Sequence, residues 1–148
     1  MINLSKDNLL SIKLDEKNGL YLSCSTDTTH PSLTLSKTPY LWEVRGNQNN
    51  PDMFSGSILT HIEGSPSLFV QVNSLSLEPG KDYFDAILSE KNKYALRIIQ
   101  PHSSTTSSVF IYLVDGNTSR EYCLGTSKNS LAIVFSHNET TWQLEEFK

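Results

Sequence analysis

Apolar residues recur at every second position along this chain in short runs, and no long window spaces them as a helix would. Four such runs stand early, at Leu9 to Leu14, Gly19 to Cys24, Ser32 to Lys37 and Tyr40 to Arg45. Four more follow at Ser57 to Glu63, Leu68 to Val72, Tyr83 to Leu88 and Tyr94 to Gln100. The last four are Val109 to Val114, Glu121 to Gly125, Leu131 to Phe135 and Thr141 to Phe147. Alternation of this kind predicts strands with one face inward, so the pattern predicts twelve strands in three groups of four. Turn chemistry supports the breaks: Asn18-Gly19, Arg45-Gly46-Asn47, Glu63-Gly64-Ser65-Pro66, Glu78-Pro79-Gly80 and Asp115-Gly116-Asn117 all suit reversals. The polar stretches Asn47 to Asp52 and His102 to Ser108 fall between groups and read as surface loops.

The three groups repeat one another. Leu20 and Leu22 precede Leu33 and Leu35, then Trp42 and Val44. Leu68 and Val70 precede Phe84 and Ala86, then Leu96 and Ile98. Tyr122 and Leu124 precede Leu131 and Ile133, then Trp142 and Leu144. A period of roughly 50 residues over one chain is the mark of a repeated supersecondary unit that must stack on its copies to bury its apolar face. Trp42, Leu96 and Trp142 hold the matching inward position, so both tryptophans are expected in the core.

Composition narrows the class. A chain of 148 residues fits one domain, 1–148, with a core that needs no staples. Hydrophobic content of 37% and charged content of 19% leave a chain rich in Ser, Thr and Asn, suited to an all-β protein with many loops. A formal charge of -4 with no basic run argues against nucleic-acid binding, which needs clustered Lys and Arg. No apolar stretch reaches the ~18 residues of a membrane helix, so no membrane span is expected. The opening residues, with Asp7 and no apolar core, do not resemble a signal peptide, and a cytoplasmic location is expected. Cys24 and Cys123 are too few for a disulfide framework and are expected as free thiols.

The strands Leu41-Trp42-Glu43-Val44 and Thr141-Trp142-Gln143-Leu144-Glu145-Glu146-Phe147, with the three-fold pattern around them, resemble the β-trefoil family. The resemblance covers essentially the whole chain and implies three four-stranded repeats with pseudo-three-fold symmetry. In style it is nearest to small fungal trefoils, the ricin-B-like lectins and mushroom protease inhibitors. The Gln-x-Trp motif usual in ricin-B-type repeats is absent, since Tyr40 and Thr140 stand two places before the tryptophans. The resemblance therefore implies a non-catalytic recognition protein, with protease inhibition ranked first, carbohydrate binding second and a protein-interaction module third.

Candidate residues follow from those mechanisms. An inhibitor needs a rigid exposed loop, because pre-organisation lowers the ordering cost of association. Thr26, Asp27, Thr28, Thr29 and His30 before Pro31 form one such loop, and Lys128 with Asn129 forms another, its lysine suited to a trypsin-like pocket. A lectin needs an aromatic face beside fixed polar groups that read hydroxyls. Asp115, Asn117, His137 and Asn138 are the candidates in the third group. The first group offers Asp27, Asn47 and Tyr40, and the second Asp82, Asn92 and Tyr94. His30, His61, His102 and His137 lie in no zinc-ligand spacing, and no Gly-x-Ser-x-Gly elbow or phosphate-cradling loop occurs. Neither an enzyme, a metal nor a cofactor is expected; the expected partner is a protease or a glycan, and the oligomeric state is left open.

Overall fold

A computed structural model of the protein describes residues 4–15, 19–25, 31–62, 64, 66–72, 82–101, 108–116, 119–127 and 132–146. Twelve strands account for most of them: β1 (Asp7–Leu14), β2 (Tyr21–Ser25), β3 (Ser32–Ser36), β4 (Trp42–Asn50), β5 (Met53–Thr60), β6 (Phe69–Val72), β7 (Tyr83–Ser89), β8 (Ala95–Ile99), β9 (Ser108–Val114), β10 (Glu121–Thr126), β11 (Ile133–Ser136) and β12 (Trp142–Glu146). The described residues contain no α-helix, and every strand pairing is antiparallel. All-β is therefore the class.

Six strands close into a ring: β1 pairs β4, β4 pairs β5, β5 pairs β8, β8 pairs β9, β9 pairs β12, and β12 returns to β1. The other six form the hairpins β2–β3, β6–β7 and β10–β11, each joined to the ring through its first strand. A short ladder links two hairpins directly, with Val134 opposite Asp85, Phe135 opposite Phe84 and Ser136 opposite Tyr83.

Alternation places the core inside the ring. Leu10, Ile12 and Leu14 of β1, Phe54 and Ile58 of β5, and Val109, Ile111 and Leu113 of β9 are all buried, with Leu96 and Ile98 of β8 facing them. Trp42 and Trp142 are both 0% exposed, as their inward positions predict. Each indole also finds its hydrogen-bond acceptor. Trp42 Nε1 donates to the Leu22 carbonyl at 2.8 Å, and Trp142 Nε1 donates to the Leu124 carbonyl at 2.9 Å. A buried indole N–H left without an acceptor would cost about 1–3 kcal/mol, so these bonds tie hairpins β2–β3 and β10–β11 to the ring.

The register around these residues is regular. Trp42 stands opposite Leu10 and Thr60, Leu96 opposite Gly56 and Leu113, and Trp142 opposite Val109 and Leu14. At the ends of β3, β7 and β11 one turn recurs: the hydroxyls of Ser36, Ser89 and Ser136 accept the backbone N–H of Thr38, Lys91 and Asn138 at 3.0, 3.1 and 3.2 Å.

One sequence expectation fails here. Arg45-Gly46-Asn47 is not a reversal, and Asn47 to Asn50 is not loop: β4 continues to Asn50 and the chain turns only at residues 51–52. The ladder to β5 runs on through Asn47 opposite Ser55 and Gln48 opposite Phe54, slipping once between Gln48 and Asn50. Backbone pairing does not require apolar side chains, and the exposed polar faces of Asn47 to Asn50 cost the ladder nothing. Gly46 marks a close approach instead. It faces Gly56, and a Cβ on Gly56 would lie 1.8 Å from the Arg45 carbonyl oxygen, while one on Gly46 would lie 2.0 Å from that of Ser55.

Candidate functional site

The β7–β11 ladder builds a concavity among the described residues. Because Tyr83 stands opposite Ser136, the start of β7 lies beside the end of β11. β10 supplies Thr126, with Ser127 just after it, and the Ser127 N–H bonds the Ala132 carbonyl at 2.9 Å, closing the base of the β10–β11 connection. The result is a cavity of about 490 Å³ lined by Asp82, Tyr83, Thr126, Ser127, Val134, Ser136, His137 and Asn138. That volume falls in the usual range of small-molecule sites.

Each wall has a cause. Tyr83 is 53% exposed, a large ring left open to solvent at a strand start while its neighbour Phe84 enters the core. Beside it on β11, the Ser136 turn fixes Asn138, and His137 between them also lines the cavity. The His137 ring lies 4.9 Å from the ring of buried Tyr122, which meets Phe84 edge-on at 5.2 Å. His137 is thus backed by an aromatic row running into the core. Chemically the cavity offers an exposed aromatic face, a carboxylate, an imidazole, an amide and hydroxyls. Such a set suits a polyhydroxylated ligand with one apolar face.

Two of the sequence candidates, His137 and Asn138, meet in this cavity. Asp115 does not join them among the lining residues. It is a buried turn residue at the β9–β10 reversal, where its N–H bonds the Arg120 carbonyl at 2.9 Å and its carbonyl accepts from Ser119 at 2.8 Å. Thr26, Asp27, Thr28, Thr29, His30, Asn117, Lys128 and Asn129 lie outside the described residues. Of the second group, Asp82 lines the cavity, whereas Asn92 and Tyr94 serve the scaffold. Buried Gln71 donates to the Tyr94 carbonyl at 2.8 Å and to Asn92 Oδ1 at 3.2 Å, and accepts from the Tyr94 N–H at 2.9 Å. In the first group Tyr40 packs edge-on against Trp42 at 4.8 Å, and Asn47 lies out along β4. Tyr83 was not among the candidates; the signal for it lies in a long-range ladder, not in local spacing.

A second, more open groove of about 460 Å³ is lined by Asp7, Asn8, Leu9, Glu43, Arg45 and His61. Its charges answer one another. Arg45 contacts Glu43 and lies 3.4 Å from Asp7, and His61 Nδ1 sits 3.0 Å from Glu43 Oε1. These contacts cross-link β1, β4 and the residue after β5.

Cys24 and Cys123 are free and buried. Burial pushes both thiols up from their ordinary range, which disfavours the nucleophilic thiolate. Among the described residues no group of three or more His, Cys, Asp or Glu gathers to hold a metal, and no helix is long and apolar enough to cross a membrane. A scan against protein-family models finds no match for the chain, and a search of curated proteins finds no significant relative.

Proposed function

We propose that the chain is a non-catalytic carbohydrate-binding protein of β-trefoil form, with its site between β7 and β11. The single observation that carries the binding reading is the cavity of about 490 Å³ that the exposed Tyr83 lines together with Asp82, His137 and Asn138. An exposed aromatic can cover the apolar face of a pyranose while fixed amide and carboxylate groups read its hydroxyls. This cavity supports glycan binding as the first reading, with loop-mediated protease inhibition as the second.

The trefoil reading rests on the register. Trp42, Leu96 and Trp142 each bridge two ring strands, and the partner positions are spaced alike in β1, β5 and β9: Leu10 and Leu14, Gly56 and Thr60, Val109 and Leu113. The three serine turns after β3, β7 and β11 repeat with the same spacing. Three copies of a four-stranded unit around one axis account for both patterns.

A glycan array on the purified protein, followed by titration of its hits, tests the function. Tyr83→Ala is expected to weaken sugar binding about tenfold, because the stacking face is lost while the buried scaffold is untouched. Asn138→Ala is expected to weaken it further. An array without hits would remove the glycan reading. Inhibition of a serine or cysteine protease that survives Tyr83→Ala would favour the loops instead.

A further inference from the structure

Resting on the glycan reading, we infer that this site selects its sugar by charge: Asp82 makes it a site for a basic amino sugar, taken ahead of neutral and anionic ones. Asp82 and Tyr83 are consecutive residues, both exposed, at the opening of β7. Both line the cavity, so a carboxylate and an aromatic ring stand on its rim. An ammonium substituent on a pyranose seated against Tyr83 gains twice at that rim. It donates a charge-assisted hydrogen bond to the carboxylate and lies near the electron-rich face of the ring. An acetamido or hydroxyl group at the same position can still donate to the carboxylate, but it brings no opposite charge and no cation for the ring face.

The surroundings point the same way. Asp85, also exposed, stands two residues further along β7 opposite Val134, itself a lining residue, so a second carboxylate borders the same ladder. The chain carries a formal charge of -4, which favours the approach of cations over sulfated or sialylated glycans. Other lining groups read hydroxyls whatever the ligand's charge: the Asn138 amide and the Thr126 and Ser127 hydroxyls. His137 also lines the cavity, and its ring is occupied on one side by Tyr122 at 4.9 Å. Shape thus comes from Tyr83 and the β11 turn, and charge preference from β7.

Isothermal titration with oligomers of glucosamine, N-acetylglucosamine and glucose, matched in linkage and length, tests this, with the galactose series run in parallel. The amine-bearing oligomer is expected to bind roughly two- to fivefold more tightly than its neutral counterparts at low salt, the range of an exposed ion pair. Salt should narrow that ratio, because exposed pairs are screened. Asp82→Glu should keep the ratio and Asp82→Asn should lower it toward one, with circular dichroism confirming the fold. Equal binding of amine and neutral oligomers, or a ratio unaltered by both salt and Asp82→Asn, would overturn the inference while leaving the glycan reading standing. Failure of every sugar in both series to bind would instead remove the glycan reading itself.

Discussion

At the scale of single residues, the two tryptophans show how a sequence pattern becomes energy. Their i, i+2 placement before Val44 and Leu144 marks them as inward, and the structure buries both completely. What the pattern does not hold is the acceptor for each indole N–H, because Leu22 and Leu124 lie on other strands. Trp142→Phe keeps an aromatic ring but removes the indole N–H that bonds the Leu124 carbonyl and leaves a void beside it. A loss of roughly 2–4 kcal/mol is expected in urea unfolding, short of the cost of truncation to Ala. Tyr112 makes a second residue-scale case. Burial pushes its hydroxyl up to about 12, aided by Cys123, Glu139 and Glu121 nearby and by its hydrogen bond to Glu139. The fold thus favours the neutral phenol, so its contribution to stability is fully present below about pH 10. That contribution is lost as pH rises toward about 12. Absorbance titration of the phenolate should lose a late-titrating tyrosine in Tyr112→Phe while Tyr40, whose hydroxyl burial also pushes up, remains, and the variant should lose less stability than the parent between those limits.

Elements were legible from the sequence wherever side-chain alternation marked them, and illegible where only backbone pairing did. β1 and β9 alternate cleanly, and their bounds agree with the expected runs to within a few residues. The outer half of β4 carries polar side chains, so nothing in its composition distinguishes ladder from loop; the structure extends it to Asn50, capped where Asn50 Oδ1 accepts the Asp52 N–H at 2.9 Å. The Gly46–Gly56 approach is the element-scale constraint there. Gly56→Ala places a methyl group against the Arg45 carbonyl, a backbone atom that cannot swing aside. It is expected to cost about 1–3 kcal/mol by forcing β4 and β5 apart, whereas Gly116→Ala, with open space around it, should cost far less. Thermal unfolding of the two variants side by side makes the comparison. The candidate site obeys the same division. His137 and Asn138 follow a strand end and could be named from the chain, but Tyr83 reaches them only through the β7–β11 ladder, a pairing that no local signal announces.

For the whole molecule, the pairing scheme predicts where stability resides. β1, β5 and β9 each pair with three other strands, two within the ring and one in a hairpin. None can open without breaking the ring. β3, among the described residues, pairs with β2 alone and touches β7 and β11 only through side contacts. Native-state hydrogen exchange should therefore find the bonded amides around Ile12, Ile58 and Ile111 exchanging only through global unfolding, with those of β3 opening well before. Equal protection across β1 and β3 would mean that contacts among the hairpins lock β3 as firmly as a ladder. A ligand adds a second reading to the same experiment. A sugar seated between β7 and β11 binds the closed form and not the open one, so at a hundred times its dissociation constant it should deepen protection there by about 2.7 kcal/mol. If the hairpins open separately from the ring, the gain will appear in β7, β10 and β11 and leave β3 unchanged. If the molecule opens only as a unit, every protected amide will rise together.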